Sequence, residues 1–573
     1  MTEAAVPTIV GDTPKTQPLG HVADFGECIN YTTRGGAQPW RLAWRPLASG
    51  QDMSAACGES YAFSVSSTHS TTDAAPQTDS LAASVMILLV LTVAQRVVGL
   101  VRSVLFCRWL DADQLGQWDL AVGFLMLAAP LALLGIPGSF GRYIEHYRQR
   151  GQLRTFLWRT TLLCAVASAI AVVVMLLRPD WFSSLIFGRG EHLALVVAVA
   201  ATLAAVIAFN YLVTLFTALR RFRVVSAMQF LNTVLFALIA LTLLVAFPPR
   251  GLSVIIAFGV ASLLTAMYAA WRLRPVWREI PNDGTALGHS TLWRKLLPFA
   301  FWWWMMNWIS NVFEIADRFM IVHYSGLSDA AALDLVGQYH SARVLPVLFI
   351  GVAELLAGLL TPHLSVDWEA GRRDLVSKRL NMIVKIFALG LVVASAVLLI
   401  VAPVLFGTVF KHKFNGGLEV LPWVLAACIW VSMSSLMNNY LLCAEKSHHL
   451  SLSLGTGLGL NIVLNLVLLP WMGLQGVAIA SAAAKVASLG LLLWIAGKYD
   501  WQTDRGLLLV ALLPLLLPLG PWITLGIAAL AVAGQLPTLS FLRPEESRVV
   551  IDHLRKVLRH LRSRLVQRQS ASG

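Results

Sequence analysis

The chain has 573 residues, of which 57% are hydrophobic and only 13% charged. Ordinary soluble domains carry about 25% charged residues, and here the apolar residues come in runs of about 20, the length that crosses a hydrocarbon core. A net charge of +13 would suit a nucleic-acid binder, but in a chain of apolar runs it reads as basic loops on one face of a membrane.

Residues 1–79 are rich in Ser, Thr, Ala, Gly and Pro and show no helical period. Their composition predicts a flexible cytoplasmic tail. No basic stretch followed by a short apolar core opens the chain, so a secretory signal is not expected. Of the six cysteines, Cys107, Cys164, Cys428 and Cys443 lie in or beside apolar runs, where Cys acts as a small hydrophobe. Neither a disulfide framework nor a metal site is expected from their spacing, and no cofactor.

Fourteen apolar segments follow: 81–104, 118–138, 159–177, 193–219, 225–247, 251–271, 296–322, 338–362, 381–409, 418–443, 449–470, 474–496, 506–519 and 521–537. The loops after segments two, four, six and eight hold Arg142 to Arg159, Arg220 to Arg223, Arg272 to Lys295, and Arg372 to Arg379. The alternate connections are poor in Lys and Arg, with none at 323–340. The positive-inside rule then puts both termini in the cytoplasm, in keeping with an even segment count. Beyond the last segment, Val550, Ile551, Leu554, Val557, Leu558, Leu561 and Leu565 recur at helical spacing opposite Arg555, Lys556, Arg559, Arg562 and Arg564. This predicts a basic amphipathic helix over 543–568, suited to an anionic leaflet.

The halves echo each other in order. Leu115-Gly116-Gln117-Trp118 precedes segment two, and Val336-Gly337-Gln338-Tyr339 precedes segment eight. Leu231-Asn232-Thr233-Val234-Leu235 is echoed by Leu460-Asn461-Ile462-Val463-Leu464. Two parallel repeats with a site between them are a transporter architecture. The expected fold is an all-α polytopic membrane protein of about 14 transmembrane helices. Its parts are an N-terminal six-helix bundle (80–272), a linker (273–292), a C-terminal six-helix bundle (293–498) related to the first by a pseudo-two-fold along the membrane normal, and two further transmembrane helices (505–538).

Together Arg96-Val97-Val98-Gly99-Leu100-Val101-Arg102, Leu115 to Ala121, Asp317-Arg318, Val336 to Tyr339, Asn461 and Gly473 to Ala480 make residues 81–537 resemble the polysaccharide flippases of the multidrug, oligosaccharidyl-lipid and polysaccharide exporter superfamily. The resemblance implies a polyprenyl-diphosphate-linked oligosaccharide as substrate, alternating access as mechanism, and the cell (inner) membrane as location. It also implies partners among polysaccharide-assembly proteins. No nucleic acid is expected.

Charges inside a span cost about 2.5–3.5 kcal/mol each on insertion scales, so they persist where they pair, snorkel or line a wet cavity. The candidates are Arg96, Arg318, Arg343 and Lys485, expected to bind the substrate diphosphate through the Arg fork or the Lys ammonium, and Glu314, Asp317 and Glu354, expected to carry a coupling ion. Structural pairing is the competing reading for each. Glu314 and Arg318 are four apart and could pair along one helix. Arg343 and Glu354, eleven apart, would share a face of one continuous helix. Trp302, Trp303, Trp304 and Trp308 fit an interfacial aromatic belt, although stacking on sugars is an alternative. A membrane enzyme acting on the same carrier, or an exporter of small amphipathic compounds, remains open as a function. An enzyme would need a catalytic exterior loop, and the longest, about 323–337, holds acids only at Asp329 and Asp334.

Overall fold

A computed structural model describes residues 81–532, except 189–191, 249, 281–286 and 447. The expected tail (1–79), the end of the last segment (533–538) and the basic helix (543–568) lie outside the described residues.

Within hydrocarbon every backbone N–H and C=O must be satisfied inside its own element, which leaves helices as the solution for these apolar runs. The described residues contain helices and turns and no strand. The first half comprises α1 (Leu81–Trp109), α2 (Ala112–Ala132), α3 (Phe140–Gln149), α4 (Leu153–Leu177), α5 (Pro179–Phe187), α6 (Leu193–Ala218), α7 (Phe222–Ala246) and α8 (Gly251–Glu279). The second comprises α9 (His289–Tyr324), α10 (Asp329–Arg343), α11 (Val347–Glu369), α12 (Arg373–Val404), α13 (Asn415–Cys443) and α14 (His448–Gly497). Two short helices, α15 (Arg505–Leu512) and α16 (Pro521–Val532), follow. Among the described residues ten helices have the length and apolarity to span a bilayer, so the chain is a multi-pass membrane protein.

Local chemistry sets where helices break. α2 ends where Leu134 and Gly135 take φ of +51° and +67°, and Ile136–Ser139 continue as a 3₁₀ turn. α14 is two helices joined at Gly473, whose φ/ψ of 55°/−133° is open to glycine alone. The two arms then double back so closely that a Cβ on Gly476 would lie 2.3 Å from the Leu468 carbonyl oxygen. Segment eight is not one helix. Pro346, which has no N–H to give, separates α10 from α11.

Many large apolar side chains face outward, including Leu177, Val245 and Trp471, as expected where lipid is the solvent. Inside, α6 packs on α8, α13 on α14, and α2 on α10. The short C-terminal helices lie against α12 and α13. Lys385 of α12, fully buried, pairs with Asp504 at 2.5 Å, and the Trp430 indole donates to the Ala511 carbonyl at 2.8 Å. The two apolar segments after 505 are thereby fastened to the second half.

Candidate functional site

The two repeat motifs meet each other. Gly116 of α2 and Gly337 of α10 let the helices cross almost backbone to backbone. A Cβ on Gly116 would lie 2.0 Å from the Leu333 carbonyl oxygen, and one on Gly337 would lie 1.9 Å from that of Ala112. Three residues beyond each glycine stand Asp119 and His340, which occupy matching places in the repeats. They meet across the crossing, with His340 Nδ1 2.8 Å from Asp119 Oδ1.

Asp119 also meets Arg318 of α9. Arg318 Nε lies 2.9 Å from Asp119 Oδ2 as an ion pair whose N–H is not aimed at that oxygen. Both side chains are buried, at 7% and 3% exposure. The expected Glu314–Arg318 pair along one helix is therefore not formed. Glu314 instead pairs with Arg343 of α10, because the neighbouring helix brings a guanidinium to it while Asp119 claims Arg318.

Nor do Arg343 and Glu354 share a helix face, since Pro346 breaks the helix between them. Glu354, on α11, pairs with Arg96 of α1 at 3.4 Å, and this pair is about half exposed, 46% for Arg96 and 58% for Glu354. It bridges the two halves. Arg96 also lies over Gly351, where a Cβ would come within 2.9 Å of its Cζ.

Asp317 is buried and accepts from Tyr339 Oη at 2.8 Å and from the amides of Asn461 and Asn465 at 2.9 Å each. Neutral donors thus surround this carboxylate. Asn461 bonds across helices as its position in a span suggests, whereas Asn232 Oδ1 has no partner. Lys485 places its ammonium 3.3 Å from the centre of the Phe313 ring, a cation–π contact.

On α9 a single line of side chains links these groups. Trp304, Asn307, Asn311, Glu314 and Arg318 are spaced three or four apart and so stack on one face. The far end of this line is charged. Its near end, toward the arginine-rich loops, borders a cavity of about 530 Å³. Across that cavity lie Asn210 and Thr214 of α6 and the Pro130 region of α2. Pro130 cannot donate to the carbonyl four residues earlier, that of Met126. The Asn311 amide of the other half donates to that freed oxygen at 3.2 Å, and also to Asn307 Oδ1 at 3.0 Å. The cavity therefore lies between the halves on the arginine-rich side.

The opposite side is closed. Lys413 Nζ bonds Asp111 Oδ1 at 2.7 Å and reaches the Leu110 carbonyl at 3.5 Å. Gln338 donates to the Lys413 carbonyl at 3.0 Å and accepts from the Gly417 N–H at 3.3 Å. One end is tied by glycine contact and ion pairs, and the other holds a cavity.

Several polar and aromatic groups of the interior escape a segment-by-segment reading. Asp119 sits in the first turn of its apolar run, where an acid looks interfacial. Aligning the two repeats would have paired it with His340. Arg102, one and a half turns beyond Arg96, is largely enclosed by aromatic rings. Its guanidinium lies 4.2 Å from the centre of Phe236 and 5.8 Å from that of Phe106, and its Nε has no hydrogen-bond partner. Lys385 was hidden within segment nine. Of the tryptophans, Trp302 is exposed as a belt residue would be, but Trp304 borders the cavity and stacks on Trp308 at 6.1 Å and 22°.

Residues 81–365 match the family model described as polysaccharide biosynthesis protein. No curated protein matches the chain. Among solved structures it is similar to the lipid II flippase MurJ in an inward closed conformation, with 13% identity, 78% of this chain and 96% of that chain covered, and a TM-score of 0.61. It is also similar to an inward-facing multidrug resistance MATE family transporter of the MOP superfamily, with 13% identity, 72% and 99% coverage, and a TM-score of 0.53. At these identities the likeness shows a shared fold.

Proposed function

From the match of residues 81–365 to the polysaccharide biosynthesis protein family, we propose that the chain is a flippase of the multidrug/oligosaccharidyl-lipid/polysaccharide exporter superfamily that carries a polyprenyl-diphosphate-linked oligosaccharide. It works by alternating access in the cell (inner) membrane, with both termini in the cytoplasm. The observation that carries this reading is the ion pairing across the two halves, Arg96 with Glu354 and Asp119 with Arg318, the second on helices α2 and α9 that also line the cavity between the halves. A diphosphate needs cations in a low-dielectric setting, and the planar guanidinium fork suits it.

In this reading the cations take different parts. Arg96 is half exposed and its bridge to Glu354 is open to competition, so an incoming diphosphate displaces the carboxylate. Arg102, held by aromatic faces alone, is a second cation of the same helix, turned toward α7. Arg343 and Arg318 are already neutralised by Glu314 and Asp119. They reach the substrate by exchanging partners as the halves part. Lys485 adds positive charge at the Phe313 face. Glu314, Asp317 and Glu354 are the carboxylates able to take up a coupling proton or cation, Asp317 being the one surrounded by neutral donors. Exchange of a carboxylate for a diphosphate is a differential contact between two states, which a population shift requires.

The test is protein-dependent movement of a fluorescent polyprenyl-diphosphate saccharide between leaflets of reconstituted liposomes. Arg96→Ala and Arg102→Ala, each folded by size exclusion and thermal unfolding, are expected to slow it by roughly tenfold to a hundredfold, the worth of one charge-assisted contact. Unchanged rates in both would remove α1 from the pathway. No movement with the wild-type protein would end the transport reading.

A further inference from the structure

The cavity on the arginine-rich side differs chemically from the charged cluster beyond it. Its described lining includes Trp304, Asn307, Asn311, Asn210 and Thr214, and no lining residue carries a formal charge. Several of these groups are not used up by the fold. Asn210 makes no side-chain hydrogen bond among the described residues, and the buried Trp304 Nε1 has no partner. Asn307 accepts from Asn311 through Oδ1, while its own N–H₂ group donates to nothing described. Asn311 is held in place by the Met126 carbonyl that Pro130 sets free. Buried polar groups ordinarily find partners, which the Trp304 indole N–H here does not, while Asn210 is half-buried and Asn307 exposed to the cavity; a ligand dense in hydroxyls supplies donors and acceptors to all three. The remaining lining is apolar, with Trp304 offering an indole that has an apolar body and a polar edge.

Resting on the transport reading above, we infer that this cavity is the subsite for the sugars of the cargo, and that it selects sugars without a formal charge. The line of residues on α9 sorts the head group. Neutral amides and an indole come first, and Glu314 and Arg318 with their partners come one to two turns later. A uronate or other acidic sugar placed among Trp304, Asn307 and Asn210 would give up part of its water and meet no counter-charge in return, which is unfavourable. A neutral pyranose meets no such penalty and satisfies the open amides.

The test uses the full chain in liposomes and two fluorescent lipids with the same polyprenyl diphosphate. One carries a neutral trisaccharide, and the other carries the same trisaccharide with one hexose replaced by its uronic acid. The wild-type protein is expected to move the neutral lipid at least about tenfold faster, the discrimination expected when a pocket must bury an unmatched polar group. Asn307→Arg is expected to narrow or invert that preference. Asn210→Arg makes the same test from the opposite wall should the first variant fail to fold. Equal wild-type rates for the two lipids, or a preference unmoved by both arginine variants, would overturn the inference while leaving the transport reading standing. Movement of neither lipid would take both down.

Discussion

Asp119 touches a cation on α9 and an imidazole on α10 while being 2% exposed. Removing one member of such a buried set strands the other charge. Asp119→Asn is expected to destabilise the protein by about 3–5 kcal/mol, read as a lower thermal midpoint in detergent. Adding Arg318→Gln to it is expected to recover much of that loss, because the stranded cation goes too. A double variant no better than the single one would show that the pair does not hold the seam. A milder cycle tests the proline. Asn311→Ala leaves the Met126 carbonyl without its donor and is expected to cost about 0.5–1.5 kcal/mol. Pro130→Ala in that background is expected to restore stability, since residue 130 can then donate to Met126 along α2.

At the level of elements, the α2–α10 crossing is the contact that closes one side. With 2.0 Å and 1.9 Å between imagined Cβ atoms and the facing carbonyls, neither Gly116 nor Gly337 admits alanine without the helices moving apart. Gly337→Ala is expected to open that end. In a cysteine-light background, a cysteine at position 111 is then expected to react faster with a membrane-impermeant thiol reagent than in the parent. Conversely, Asp111→Cys with Lys413→Cys, joined by a short bifunctional thiol reagent, is expected to hold the halves together and stop lipid movement. Transport that continued through the cross-link would mean that this seam never opens. The break at Pro346 belongs to the same scale. It turns segment eight into two helices, and so sends Arg343 to Glu314 and Glu354 to Arg96.

For the molecule as a whole, the basic loops all lie at one end of the bundle and the tied crossing at the other. Orientation follows from that bias and is directly checkable. In intact cells, a cysteine at position 150 is expected to stay unlabelled by an impermeant reagent until the membrane is permeabilised, while one at position 325 reacts at once. The reverse pattern would invert the proposed topology and put the cavity on the outer face.

Hydropathy alone identified the helical membrane class and the principal spans, because a hydrocarbon solvent forces every long apolar run into one secondary structure. It also marked Arg96, Arg318, Arg343, Lys485, Glu314, Asp317 and Glu354, since charge in a span stands out against its neighbours. Which charge answers which was not legible. The spacing of Glu314 and Arg318 favours a pair within one helix, yet the partners come from α2 and α10, because inter-helix distance is set by glycines and breaks that act over tens of residues. Asp119 and His340 gain their meaning from the crossing of the two motifs, and Arg102 from the Phe236 ring that α7 brings to it. The neutral character of the cavity likewise depends on which faces of α2, α6 and α9 meet. Sequence decides what each segment is made of, and packing decides which side chains share a low-dielectric space, where a charge binds, repels or is silenced by its neighbour.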